Sequence, residues 1–161
     1  MINFQIETMK AYHLKSVIEL ERLIRQPQIN LETFEDKSKR HRLFLEWSQD
    51  GKALSKIVEY QNIAIAFYHL IFDPQLIQNF YANSDQVICK SSYLAQISID
   101  PNYQSQGLGK ILMSDIYEQS IQHGKNDLLL EVNSKTKAYQ FYLRQDFQDL
   151  ESQVFMKKSL I

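Results

Sequence analysis

Gly107 and Gly109 stand two residues apart in the stretch Gln104-Ser105-Gln106-Gly107-Leu108-Gly109-Lys110. The chain has only 4 glycines, about a third of the roughly 7% of average usage, so each should have a reason. Gly51 follows Asp50 in a turn, and Gly124 falls where a helix should end. The other two fall where an apolar-periodic run begins, a helix start at which glycine costs up to about 1 kcal/mol relative to alanine. The first turn of a helix carries unpaired N–H groups and a partial positive charge. Without Cβ atoms in the way, an anion can reach them, so the chemistry this spacing suits is phosphate binding. Spacing alone leaves a second reading open, a tight strand-to-helix connection in which glycine only relieves crowding.

Other phosphate motifs fit worse. A nucleotide P-loop needs a glycine five residues before Gly109, where Gln104 stands. A dinucleotide fingerprint needs a third glycine at position 112, which is Leu112, and belongs near the first strand rather than two-thirds along the chain. Mononucleotide hydrolysis and hydride transfer are therefore disfavoured. His13, His41, His69 and His123 show no ligand spacing, so no metal is expected. Cys89 has no histidine placed near it by sequence and reads as a buried small apolar residue, not a nucleophile. The basic run Lys37–Arg42 is flanked by Glu32, Glu35, Asp36 and Glu46 and reads as a solvated helix face.

The elements that must position this loop follow from periodicity. Leu94–Ile99 reads as a strand leading into the turn Asp100-Pro101-Asn102-Tyr103, and Gly107 to His123 as a helix with Leu108, Ile111, Leu112, Ile116 and Ile121 on one side, closed by Gly124. Downstream come a strand over 127–132, a helix from Lys135 to Gln145 and a last strand pair through Phe155 and Met156. Upstream, Phe4 and Ile6 alternate with polar residues as a strand, and Leu14, Val17, Ile18, Glu21, Leu23 and Ile24 recur at helical spacing until Pro27. A second helix is expected from about Leu31 to Trp47, with Phe34, Leu43, Phe44 and Trp47 apolar, ended by the turn Asp50-Gly51. A hairpin follows over 54–60 and 63–72 around Gln61-Asn62, then an irregular excursion over 74–92 with one short helix. Strands alternating with helices in the second half imply a mixed sheet covered on its faces.

With 161 residues, 44% hydrophobic and 23% charged, the chain fits one globular domain over 1–161. A net charge of −1 provides no basic field for nucleic acid. One cysteine permits no internal disulfide, and neither a basic leader nor a run of roughly 20 apolar residues is present, so a cytoplasmic protein is expected, with no membrane contact.

The stretch Gln104–Gly109 resembles motif A, Q/R-x-x-G-x-G/A, of the GCN5-related N-acetyltransferase (GNAT) family. Ile97-Ser98-Ile99-Asp100-Pro101-Asn102-Tyr103 is similar to the strand and turn that lead into that motif. Asn133, Ala138, Tyr142 and Phe147 are similar to the family's N-x-x-A-x-x-x-Y-x-x-x-G-F segment. The match covers residues 94–147, the coenzyme-binding core, while residues 1–92 would supply the acceptor side. Lys135 departs from the family's asparagine and Asp146 from its glycine, the latter at a helix C-cap.

The resemblance implies an α/β fold, an α+β mixed sheet that is mostly antiparallel and twisted, with a splayed parallel strand pair and flanking helices. It implies acetyl-CoA as co-substrate, its pyrophosphate on Gln104, Ser105, Gln106, Gly107, Leu108, Gly109 and Lys110, and its pantetheine arm along Ile97, Ser98 and Ile99, with Asn133 as a further contact. A backbone N–H near Ile99 would polarise the thioester, an amine would attack it directly without an acyl-enzyme, and Tyr142 would protonate the departing thiolate. Glu59, His69 and, more weakly, Glu131 are the candidate bases, each with an ordinary structural role as its alternative. The acceptor is a small amine, a peptide N-terminus or a lysine; a homodimer is left open. A non-catalytic coenzyme A-binding or interaction domain of the same fold is the competing expectation.

Overall fold

The computed structural model describes residues 4–24, 32–81, 85–150 and 155–161. Pro27 and Leu31, expected at the end of one helix and the start of the next, lie outside them. The strands are β1 (Ile6–Thr8), β2 (Ala53–Tyr60), β3 (Ile63–Ile71), β4 (Ser91–Ile99), β5 (Asp127–Glu131), β6 (Gln148–Asp149) and β7 (Phe155–Ser159). The helices are α1 (Leu14–Ile24), α2 (Phe34–Gln49), α3 (Pro74–Gln78), α4 (Asp85–Cys89), α5 (Leu108–Gln122) and α6 (Lys137–Leu143). The seven-stranded sheet runs in the order β1-β2-β3-β4-β5-β7-β6. β4 and β5 are parallel, whereas β1–β2, β5–β7 and β6–β7 are antiparallel. The chain divides into two compact units, one of residues 1–70 and 96–114, the other of residues 71–95 and 115–161.

In the first unit the β2–β3 hairpin turns on Gln61 and Asn62, with φ of 52° and 62°. Two left-handed residues in a two-residue loop match the strands' own twist, and asparagine tolerates that geometry. β3 is buried at every position but its first, which fits an apolar run interrupted only by His69. Its Ala64 and Phe67 join Met9, Val17, Leu20 and Ile57 in one buried cluster. α2 opens with a capping box: Thr33 Oγ1 accepts from the Asp36 N–H at 3.1 Å and the Asp36 carboxylate accepts from the Thr33 N–H at 3.0 Å.

The apolar stripe expected on α1 is altered in one respect. Glu21 is buried at 1% exposure while Leu23 is 63% exposed, so a carboxylate takes a core position and a leucine faces out. Phe34 and Leu43 of α2, and Ile111 and Ile121 of α5, are likewise exposed.

In the second unit β4 starts at Ser91, three residues earlier than periodicity indicates, and pairs with β5 in parallel from Ser91↔Asp127 to Leu94↔Leu130. The parallel pairing thus lies at the N-terminal end of β4, and the strand continues to Ile99. Leu128, Leu129, Leu130, Ile116, Phe147 and Met156 are buried there. The 74–92 excursion holds two short helices, α3 and α4, α3 capped by the Asp73 carboxylate on the Gln75 and Leu76 N–H groups. α6 is shorter than expected because Thr136 caps it, through the Tyr139 N–H. No described helix is long and apolar enough to cross a membrane.

Candidate functional site

The loop between β4 and α5 is built by local bonds. Asp100 donates its N–H to the Ile65 carbonyl at 2.8 Å, tying the end of β4 to β3, and its carboxylate accepts from the Asn102 N–H at 2.8 Å, capping a 3-10 turn over Pro101–Tyr103. The side-chain amides of Gln104 and Gln106 turn back onto the Ile99 and Asn102 carbonyls at 3.2 and 3.0 Å. Ser105 and Gly107 have φ of 64° and 84°. The Gly107 carbonyl accepts from the Lys110 and Ile111 N–H groups at 3.1 and 3.2 Å, and the buried Leu108 anchors the first turn of α5. Among the described residues nothing accepts from the Gly107, Leu108 and Gly109 N–H groups. An exposed loop offering three such donors at a helix N-terminus can hold an anion of phosphate type.

The reason for glycine at 107 is its backbone. A Cβ there would meet no atom within 4 Å, so crowding within the protein is not what glycine relieves. A φ of 84° is what other residues avoid. Gly109 is the second residue of α5 and half-buried. Of the remaining expected contacts, Ser98 is buried at 7% while Ile97 and Ile99 are half-buried.

The first unit also holds a buried polar cluster that corrects the reading of Lys37–Arg42 as a solvated face. Lys37 is 2% exposed and His41 fully buried, because α2 lays this side over Glu21 and His69. Lys37 Nζ donates to the Glu32 carbonyl at 3.1 Å. Arg40 donates to both Glu21 oxygens at 3.0 Å, to Glu32 at 2.8 Å and to Gln96 Oε1 at 2.8 Å. Gln96 Nε2 donates to Glu21 Oε1, and His41 Nε2 lies 3.0 Å from Glu21 Oε2. His41 Nδ1 meets His69 Nε2 at 2.9 Å, and His69 Nδ1 meets Ser55 Oγ at 2.7 Å. Phe44 stacks on the His69 ring at 4.2 Å.

Burial opposes the charge of Glu21, yet hydrogen bonds from His41 and Gln96 and the charges of His41 and Arg40 hold its carboxyl down at about 2. Burial pushes His69 well below the ordinary imidazole value, reinforced by His41 and Arg40. His69 is thus a satisfied core histidine, the alternative to a base role. Glu59 on β2 lies 3.7 Å from Nε2 of the buried His13, an ion-pair distance too long for a hydrogen bond. His13 Nδ1 accepts from the Lys10 N–H at 2.8 Å, so the ring proton sits on Nε2.

In the second unit Tyr142 lies on α6 at 6% exposure, its ring edge-on to Phe141 and Phe147 with centroids 5.5 and 5.3 Å away. Burial, and then Tyr117, raises its hydroxyl above the ordinary phenol value, so it carries its proton at neutral pH. Asn133 Oδ1 accepts from the Lys135 N–H at 2.9 Å, building the turn before α6. Asp146 holds φ of 62°, the left-handed residue after the helix, with Lys158 Nζ 3.7 Å from its carboxylate. Glu131 is exposed at the end of β5. Cys89 is exposed rather than buried, because the short α4 turns Ile88 inward and leaves the thiol outside.

Sequence reasoning missed Glu21, Arg40, His41 and Gln96 as one cluster. The available signal was Glu21 itself, an acid on the apolar stripe of α1.

The family model described as acetyltransferase (GNAT) domain matches residues 80–160. Among solved structures, the PaiA N-acetyltransferase of Thermoplasma acidophilum in complex with coenzyme A is 17% identical with a TM-score of 0.76, covering 98% of this chain and 99% of that one. The ribosomal-protein-S18-alanine N-acetyltransferase of Escherichia coli is 17% identical, TM-score 0.72, with 98% and 94% covered. The yncA protein of Salmonella typhimurium, solved with its cofactor acetyl-CoA, is 14% identical, TM-score 0.70, with 98% and 94% covered. At these identities the structures share the fold, and the family rests on the match over half of the chain, which agrees with the glycine loop at its expected place: the chain belongs to the GNAT acetyltransferase family.

Proposed function

We propose that the chain transfers the acetyl group of acetyl-CoA to a primary amine by direct attack in a ternary complex. The observation that carries this reading is the loop Gln104–Gly109, whose two left-handed residues and unpaired helix N-terminal N–H groups suit a pyrophosphate. In this reading Gln104, Ser105, Gln106, Gly107, Leu108, Gly109 and Lys110 bind the pyrophosphate, Ile97, Ser98 and Ile99 lie along the pantetheine arm, and Asn133 adds a contact from its backbone or amide. An ammonium acceptor loses one proton to become nucleophilic and a second after attack. One of the two goes to the leaving thiolate and one to solvent. Tyr142 supplies the thiolate's proton and recovers its own from the substrate side; its raised hydroxyl keeps that proton until negative charge develops on sulfur.

The test is release of free thiol from acetyl-CoA against a panel of small amines, peptides with free N-termini and lysine peptides. Turnover that depends on one of these classes supports the reading and names the acceptor. Coenzyme binding by calorimetry with no thiol released across the panel would replace it by a non-catalytic coenzyme-binding domain.

A further inference from the structure

In the second unit the side chain of Ser92 on β4 points toward α5, where its Oγ lies 2.7 Å from Ser120 Oγ. Successive strand residues face opposite ways, so Tyr93 lies on the other face of the sheet, where the Phe80 ring stacks on it at 5.3 Å and 25°. Parallel pairing sets Tyr93 opposite Leu129 and ends one pair later, at Leu94↔Leu130. Leu129 and Glu131 are two apart on β5 and share that face, so Glu131 stands diagonally across from Tyr93, just past the last pair.

Tyr93 is 3% exposed, yet its hydroxyl has no hydrogen-bond partner among the described residues and is not sealed from solvent. A buried tyrosine ordinarily finds a partner for that group. The Glu131 carboxylate is exposed and has no ion-pair partner among the described residues, and Phe80 is 39% exposed. An unpaired carboxylate, an unpaired hydroxyl and an accessible ring therefore meet at one place. A carboxylate attracts a cation, a hydroxyl oxygen accepts from its N–H groups, and an aromatic ring takes its charge or the methylene stem behind it. Burial, and then the charge of Glu131, push the Tyr93 hydroxyl above the ordinary phenol value, so it stays neutral and keeps its lone pairs for a donor. The carboxylate that holds an ammonium also keeps it protonated, and a protonated amine has no lone pair with which to attack a thioester. The group held here is therefore not the one acetylated.

We propose that Phe80, Tyr93 and Glu131 are specificity-determining residues that hold a second cationic group of the acceptor, a molecule with one amine to be acetylated and one ammonium to be anchored. This rests on the acetyl-transfer reading above and narrows its acceptor class. Glu131 then serves as an anchor and not as the base.

The test compares, on the full chain with acetyl-CoA, kcat/KM for unbranched α,ω-diamines and for monoamines of equal carbon number. The ratio of the two isolates the anchor, because only the diamine carries a second ammonium. The wild type should prefer the diamine about tenfold, the order of a hydrogen bond to a charged group and well beyond the statistical gain from two equivalent ends. Salt raised from about 0.05 M to about 0.5 M should erode that preference. Glu131→Gln should bring the ratio down to the statistical value. Tyr93→Phe, which removes only the hydroxyl, should lower it about threefold at unchanged melting temperature and coenzyme A affinity. A ratio that Glu131→Gln leaves unchanged overturns the proposal even if both rates drop, since a base or a purely structural residue would slow both amines alike; acetyl transfer then still stands. No diamine preference in the wild type at any chain length, or a Tyr93→Phe protein that loses coenzyme A affinity with its ratio intact, overturns it as well. Absence of turnover with every amine removes both readings.

Discussion

Replacing Glu21 by glutamine keeps shape and hydrogen-bonding oxygen but removes the charge on which Arg40 and His41 converge. The carboxyl sits at about 2 in the folded protein against 4.5 ordinarily, a gap worth about 3 kcal/mol at about 1.4 kcal/mol per pH unit. Because the folded value is the lower one, this stabilisation is complete above about pH 4.5 and is lost as pH falls toward about 2. Glu21→Gln should therefore cost about 3 kcal/mol at neutral pH, in the range for breaking a buried pair by removing one partner. The cost should shrink steadily below about pH 4.5, where the unfolded wild-type chain takes up the carboxyl proton, and should be gone near about pH 2, where the folded carboxyl is protonated as well. Urea unfolding followed by the fluorescence of Trp47, the only tryptophan, reads this well, since its ring lies 5.1 Å from Phe44, which in turn stacks on His69. Unfolding midpoints of the two proteins should converge with acidification at unchanged denaturant slope. A difference that stays constant from neutral pH to about pH 3 would refute the assignment of the stabilisation to the ionised carboxylate.

Gly107→Ala should cost about 1–2 kcal/mol through its left-handed φ of 84°, with no steric component from neighbouring atoms. Coenzyme A affinity measured by calorimetry should fall with it, and equal stability would show that the loop relaxes to another conformation. Tyr142→Phe should lower the single-turnover rate by about 10²–10⁴-fold while leaving coenzyme affinity and melting temperature close to wild type; an unchanged rate would take the hydroxyl out of the reaction. His69 lies well below its ordinary 6.5, so its contribution to stability is present above about 6.5 and declines as pH falls below it, where the unfolded chain binds the proton first. His69→Gln should flatten the stability profile between about pH 6.5 and about pH 5, and a profile identical to wild type would count against the buried neutral ring.

What was legible in the amino-acid sequence is what neighbouring residues settle among themselves. The loop Gln104–Gly109 depends on two left-handed residues, two glutamine side chains reaching back four or five positions and a helix start, all within about a dozen residues, so its spacing carried its chemistry. The hairpin at Gln61-Asn62, the cap at Thr33 and the helix end at Gly124, with φ of 70°, were settled by the same short-range rules.

Burial of charge was not legible, because it depends on which elements meet. Glu21 and Gln96 are 75 positions apart, and His41 and His69 are 28 apart. Lys37–Arg42 looked like a solvated face because charged residues prefer water unless a partner is supplied, and the partners come from α1 and β4. Cys89 looked buried by its residue type, but in α4 Ile88 is the neighbour that turns inward and the thiol lies outside. The sequence by itself determined an anion-binding helix start on a mixed sheet, since backbone geometry is local. Only the tertiary structure decided which charged side chains lie inside and which polar groups they meet, since those contacts exist only once α1, α2, β2, β3 and β4 have brought Glu21, His41, Ser55, His69 and Gln96 within hydrogen-bonding distance.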